Sequence, residues 1–408
     1  MALHRRPLSA LALLLVHPSL LTLLFTNMTV DTAQMDNTTA SSSKGSAPTL
    51  TTLEATLCSP SPPTPLDAQF RALFSIKSLC TADNAPSGFM PEGIRIIGSA
   101  LSSSDSALLK HELAYVLGQM QDTRAIPTLT KVLEDEAEHA MVRHEAAEAM
   151  GAIGDQGALP ILEKYREDKD VSVRETCELA IRKIQYESGV KAPKSKDEEN
   201  PFAPIDPAPA FPVTTSKQPG ASAASTSSTE LLSSIPSYRT TLLDPSQSLF
   251  DRYRAMFSLR NVVHAARRAS ESPSLSAVER QETLAKGGEA VLALCDSLSD
   301  KSALFRHEIC FVFGELAHPA CVPAMLRVLS DDKEHEMVRH EAAEALGAVV
   351  EDGEEGEGKG ESLTEQVMKE LKRWAEDMQA PRVVRESCVV ALDEMAYNND
   401  PSQFQPVE

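Results

Sequence analysis

Four His-Glu dipeptides stand in register along this 408-residue chain: His111-Glu112, His144-Glu145, His307-Glu308 and His340-Glu341. The first two histidines are 33 residues apart, as are the last two, and the second pair follows the first at an offset of 196. One such dipeptide reads as a solvated helix face; four at matching places are not explained by packing. Two His with one carboxylate and open positions form the ligand set of oxygen-activating non-haem iron. Manganese or catalytic zinc fits the same donors, and the absence of a thiolate argues against structural zinc. Adjacent residues on a helix diverge by about 100°. One member of each pair can therefore serve its own half of the chain while the other reaches across. Helices pack about 8–10 Å apart, so imidazoles on neighbouring helices can share an ion at about 2.0–2.1 Å per bond, the zinc value taken as a guide. Two His pairs and four carboxylates suit a dinuclear centre.

His139 and His335 also repeat, five residues before His144 and His340. Five residues turn a helix by about 140° from that face, so a place in the preceding turn is expected, as a cap or hydrogen-bonding group; a substrate-loop role is the alternative. His264 and His318 have no counterparts and read as ordinary residues. Met141 and Met337 read as packing. Gly118, Gly151, Gly314 and Gly347 read as points of close helix approach or helix ends.

The elements that must hold these residues are themselves repeated. DEAEHAMVRHEAAEAMGA from Asp135 returns as DDKEHEMVRHEAAEALGA from Asp331, and HELAYVLGQ from His111 returns as HEICFVFGE from His307. RALFSI from Arg71 matches RAMFSL from Arg254, and VRETC from Val173 matches VRESC from Val384. The changing offsets place extra residues of the second half around 270–288 and in the acidic, Gly-rich run 351–361, which reads as a solvated loop. Apolar spacing within each unit is helical, as in Ile126, Leu129, Val132 and Leu133. Pro127, Pro160 and Pro323 fall where the first turn of a helix tolerates proline. A period of 31–33 residues with two helices per unit predicts an all-α solenoid of stacked hairpins. The Asp/Val/Arg pattern resembles HEAT-like repeats, about eight in two pseudo-symmetric halves of four. The halves are expected at 62–190 and 241–400, joined by a flexible Pro/Ser/Ala-rich linker over 191–240. A disordered or targeting-like extension over 1–61 precedes them, and a tail over 401–408 follows. Only the middle units of each half carry His-Glu; Glu175-Thr176 and Glu386-Ser387 stand at the corresponding places of the outer units.

Fifty-nine acidic residues against 39 basic ones give a net charge of −20. Nucleic-acid affinity rests on cations neutralising phosphates, so no nucleic-acid partner is expected; a basic partner suits the charge. The seven cysteines form no Cys-x-x-Cys pair and are odd in number, which fits reduced thiols in a reducing, cytoplasmic setting. The start of the chain conflicts with this. His4, Arg5 and Arg6 precede an apolar run from Leu8 to Phe25, the order of a secretory signal, and Asn27 and Asn37 open glycosylation sequons. His17-Pro18 breaks the run, which is short for a membrane span; no membrane association is expected.

The run EHxxMVRHEAAEALGA, with HEL and HEI pairs 33 residues upstream, closely resembles the deoxyhypusine hydroxylase family. So does Asn200-Pro201-Phe202 followed by Asp206-Pro207-Ala208-Pro209. The resemblance covers roughly Leu66 to Asp400. It implies an eight-repeat, two-half protein holding two Fe(II) ions between its halves, with molecular oxygen as co-substrate. The implied activity is a monooxygenase that hydroxylates deoxyhypusine in the precursor of translation factor 5A, acting as a monomer. The implied iron ligands are His111, Glu112, His144, Glu145, His307, Glu308, His340 and Glu341, with substrate contacts to be found among the same four Glu. Spare carboxylates would hold the cationic amines of the substrate arm. Two other readings stand beside this one: a non-catalytic HEAT-repeat scaffold, which has no need of His-Glu confined to middle units, and a two-metal hydrolase, which shares the ligands but not the family text.

Overall fold

A computed structural model describes residues 49–58, 64–189, 204–212, 232–349 and 362–398. Among them are sixteen α-helices and no strand. In the first half, α1 (Leu50–Leu57) pairs with α2 (Leu66–Thr81), α3 (Phe89–Ser103) with α4 (Ala107–Gln119), α5 (Ile126–Glu134) with α6 (Ala140–Ile153), and α7 (Leu159–Tyr165) with α8 (Val171–Gly189). In the second, α9 (Ile235–Leu243) pairs with α10 (Leu249–Ser270), α11 (Ala277–Asp296) with α12 (Ala303–Leu316), α13 (Val322–Ser330) with α14 (Glu336–Ala348), and α15 (Leu363–Glu376) with α16 (Arg382–Asn398). These are the eight expected hairpins. The even-numbered helices stack side by side as an inner layer in each half.

Three boundaries differ from expectation. Helix α1 lies inside the stretch 1–61 expected to be disordered: Leu50, Leu53 and Leu57 recur at helical spacing and bury one face against the first hairpin. Residues 204–212 of the expected flexible linker are fixed by contacts described below, and α9 begins before residue 241. The extra residues around 270–288 span the end of α10, a short turn and the start of α11. The signal-like run over 1–26 and the acidic run 351–361 lie outside the described residues.

Local chemistry explains where the helices start and how units join. Pro127, Pro160 and Pro323 sit in the first turn of α5, α7 and α13, where a missing N–H costs nothing. Three arginines near the starts of inner helices supply a clamp. Arg143 lies within the fold, donates to the Leu133 carbonyl at the end of the preceding outer helix, and pairs with Asp168 of the next unit at 2.6 Å. Arg252 and Arg339 make the same reach, to the Leu242 and Leu329 carbonyls. Each thereby satisfies a helix-end carbonyl that would otherwise be orphaned. Gly118, Gly151 and Gly347 let inner helices touch backbone to backbone: a Cβ on Gly118 would lie 2.7 Å from Ala149 Cα, and one on Gly347 2.9 Å from Ala391 Cα.

The halves meet at both ends of the inner layer, α2 and α4 against α16, and α8 against α10 and α12. Ser106 donates to Glu386 at 2.7 Å, and its repeat equivalent Ser302 donates to Glu175 at 2.6 Å. The outer-unit glutamates that replace His-Glu are thus the fasteners of the ring. Each of these serines also caps its own helix. His139 caps α6 by accepting the Met141 N–H, as His335 caps α14 through Met337. His139 further reaches Glu336 of the other half at 3.1 Å. All these contacts join helix starts, so the inner helices of both halves begin on one side of the molecule and end on the other.

Two predictions follow from this packing. Gly118→Ala gains about 0.8–1.0 kcal/mol of helix propensity but overpacks a backbone contact at about 1–3 kcal/mol, so thermal melts should show a lower melting temperature; an unchanged one would mean the inner helices part freely. The second concerns His139 and Glu336. Hydrogen bonding to Glu336 raises His139 above 6.5, and the same bond lowers Glu336 below 4.5. The pair stabilises fully between those ordinary values, loses strength as pH rises through the raised histidine value, and loses it as pH falls through the lowered carboxylate value. A double-mutant cycle (His139→Gln, Glu336→Gln) should give a coupling of up to about 1 kcal/mol at pH 5.5, both groups being partly exposed, and none at pH 9.

Candidate metal centre

Each motif histidine is the fifth residue of its helix, in α4, α6, α12 and α14, so all four stand at one level. They meet. Ring centroids lie 5.4 Å apart for His111–His144, 5.4 Å for His144–His307, 5.2 Å for His307–His340 and 5.2 Å for His340–His111. This is a four-sided cluster with two corners from each half. His144 and His340 are 0 % exposed. Six of the eight ring nitrogens, all except His111 Nδ1 and His340 Nδ1, make no hydrogen bond of good geometry, and two of the six, Nε2 of His111 and of His307, have only a carboxylate oxygen at ion-pair distance. Buried polar groups are ordinarily paired, and leaving one unpaired costs about 1–3 kcal/mol. Converging unpaired nitrogens are what a cation requires.

The carboxylates complete the donor set with repeat symmetry. Glu145 lies 3.2 Å from His111 Nε2, and Glu341 lies 3.3 Å from His307 Nε2. Glu112 instead bonds the Nδ1 of its own His111 at 3.0 Å. Ligand atoms of His307, His340 and Glu341 all fall within 4.8 Å of one another; so do those of His111, His144 and His307, and those of His144, Glu145 and Glu148. The donors therefore fit more than one ion, and the sets overlap across the halves. All eight residues expected from the sequence are brought to this one place.

The electrostatics point the same way. Burial opposes protonation of His111, but Glu145 and Glu112 outweigh it and hold the imidazole well above its ordinary value. Burial first and neighbouring imidazoles second push His144 and His340 well below theirs. Burial raises Glu112, Glu148, Glu308 and Glu344, and like-charged neighbours add to it. These acids sit where their charged forms lack compensation.

A narrow cleft, partly open to solvent, runs from this layer toward the helix ends. It adds residues that the dipeptide pattern did not single out. Glu148 and Glu344 stand four residues past His144 and His340, on the same face; Glu344 is held by Ser387 at 2.9 Å, while one oxygen of Glu148 is buried without a partner. The signal was present in the repeated HEAAEA text but reads there as an ordinary helix former. Tyr115 and its repeat equivalent Phe311 face each other edge-on at 6.0 Å, and the Tyr115 hydroxyl is buried without a partner. Pro204, Ile205, Asp206 and Pro207 form a further wall.

Comparison with known proteins agrees with the fold. A family model for HEAT repeats matches residues 94–182 and 291–393. A deoxyhypusine hydroxylase of Mycosarcoma maydis is 53% identical over 376 residues, covering 87% of this chain and 97% of that protein. One of Drosophila melanogaster is 45% identical over 342 residues, covering 84% and 90%. The solved structure of human deoxyhypusine hydroxylase in complex with glycerol matches with a TM-score of 0.63 at 39% identity, over 85% of this chain and 96% of that one. With its solenoid closed on four registered His-Glu pairs, this chain belongs to the deoxyhypusine hydroxylase family.

Proposed function

We propose that this protein hydroxylates the deoxyhypusine side chain of the translation factor 5A precursor, using two ferrous ions held between its halves and molecular oxygen. It works as a cytoplasmic monomer. The observation that carries the reading is the cluster of four buried imidazoles with six nitrogens that make no hydrogen bond of good geometry, in a chain of this family. All seven cysteines are free, five of them buried, which suits a reducing compartment. Among the described residues no helix is long and apolar enough to cross a membrane.

Repeat symmetry supports a division of labour. His111, His144 and Glu145 would hold one ion, and His307, His340 and Glu341 the other. Bound there, iron supplies the oxygen-activating chemistry that side chains lack. The remaining carboxylates, Glu112 and Glu308, sit at the same level and stay available to the amines of the arm. Glu148 and Glu344 stand one turn further along the cleft. Six glutamates line this space; two divalent ions and a cationic arm supply the countercharge they lack. Apolar packing behind the layer excludes water, which strengthens each of these interactions. Overall, one oxygen atom would enter a C–H bond of the arm and the other leave as water, with two electrons from an external reductant and two protons from solvent.

His144→Leu should separate function from stability. The change removes two unpaired buried nitrogens, so the metal-free protein should melt at or above the wild-type temperature. Iron content should fall to one ion per chain or less, and hydroxylation should drop by at least about 100-fold. A variant that keeps two irons and normal turnover would overturn the ligand assignment. Glu308→Gln should instead retain both irons and raise KM for the substrate protein by about tenfold or more, the loss of roughly one charge-assisted hydrogen bond; loss of iron would move Glu308 into the ligand set.

A further inference from the structure

The segment 204–212 is held at nearly every second residue. The Ile205 N–H donates to Gln119 of α4 at 2.8 Å. Asp206 takes two bonds of 2.6 Å from Arg260 of α10, and Arg260 also reaches Glu315 of α12 at 2.8 Å. Arg254 donates to the Pro209 carbonyl at 3.1 Å and stacks on Phe211. The Phe211 N–H donates to Ser258 at 2.9 Å, and its ring stacks on Tyr238. Ala208 is fully buried. Pro204, Pro207, Pro209 and Pro212 fix the backbone of what remains. This is a stiff strap tied to both halves.

Its position gives it a role. Gln119 and Glu315 are repeat equivalents near the ends of α4 and α12, two turns beyond His111 and His307. The strap therefore crosses the cleft on the side away from the Ser106, Ser302 and His139 fasteners. It faces the Tyr115–Phe311 pair and lines the same cavity as the motif residues. We infer that residues 204–212 are a fixed collar on the entrance to the His-Glu pocket, admitting a slender cationic side chain and turning away bulkier groups. The inference deepens the proposed activity and rests on it for the identity of the arm. Asp206 is a positioning residue here: its carboxylate is spent on Arg260, and it acts by holding the strap in place.

The test uses the full chain without metal. Wild type is compared with a variant in which 204–212 is replaced by a Gly/Ser run of equal length, and with the milder pair Asp206→Asn plus Phe211→Ala, which decides if the replacement does not fold. Each protein is treated with diethyl pyrocarbonate, and carbethoxylation of each histidine is followed by peptide mass spectrometry. His318, which caps a turn outside the cleft, is the internal reference. The collar predicts that His111 and His307 react at least tenfold faster, relative to His318, once the strap is loosened. Unchanged relative rates would overturn it. In the iron-loaded enzyme the same variants should lose iron faster to a bulky sulfonated chelator and show a higher KM with a smaller change in kcat; equal loss rates would also count against the collar. The modification readout needs neither iron nor turnover. It therefore fails separately from the functional reading, which fails if the wild-type chain binds no iron.

Discussion

Six glutamates and four imidazoles line or form one buried layer between the halves, and among the described residues no Lys or Arg lines the cleft. That imbalance is the constraint on which the rest of the structure depends. Burying a carboxylate without a partner costs several kcal/mol, and the protein itself answers only in part, by raising the carboxyl pKa of Glu308 and by setting the His111 imidazole, raised above its ordinary value, between Glu145 and Glu112. Arg260 stands nearby but is committed to Asp206 and Glu315. The site is therefore short of positive charge. Metal ions or an amine-bearing arm would be stabilised by such a layer.

The solenoid makes this unfavourable layer tolerable. Apolar packing between inner and outer helices runs through both halves as one continuous core, so the fold does not rest on the polar seam. Close helix approach at Gly118, Gly151 and Gly347 brings the inner helices near enough for their side chains to converge. Arginine clamps tie α6, α10 and α14 to the ends of their outer partners. With every motif histidine fifth in its helix, the four rings meet at one level between the halves. The ends of the seam are then fastened by Ser106–Glu386 and Ser302–Glu175, where the outer units carry Glu in place of His-Glu.

Much of this was legible before any coordinates. The offset of 196 residues, the 33-residue spacing and the confinement of His-Glu to middle units led directly to one shared centre. Helix geometry placed His139 and His335 in the turn before their helices, with a cap read as one of two roles there; the structure shows the cap. Other features were hidden for physical reasons. The strap reads as a linker because Pro and Ala carry no core signal; its fixity comes from Gln119 and Arg260, 86 and 54 residues away in sequence. Helix α1 was masked by the Ser and Thr around it, although Leu50, Leu53 and Leu57 kept helical spacing. Departures from symmetry, such as Tyr115 opposite Phe311 or Gln119 opposite Glu315, acquire meaning only when the halves are seen facing each other.

X-ray absorption on the iron-loaded chain addresses the central claim, that both halves contribute imidazoles to one dinuclear centre. The account predicts two irons per chain, imidazole scattering from each at about 2.0–2.1 Å, by analogy with zinc, and an iron–iron vector of about 3.5–4 Å. A single iron per chain, iron without imidazole scattering, or two irons too far apart to detect one another would contradict it.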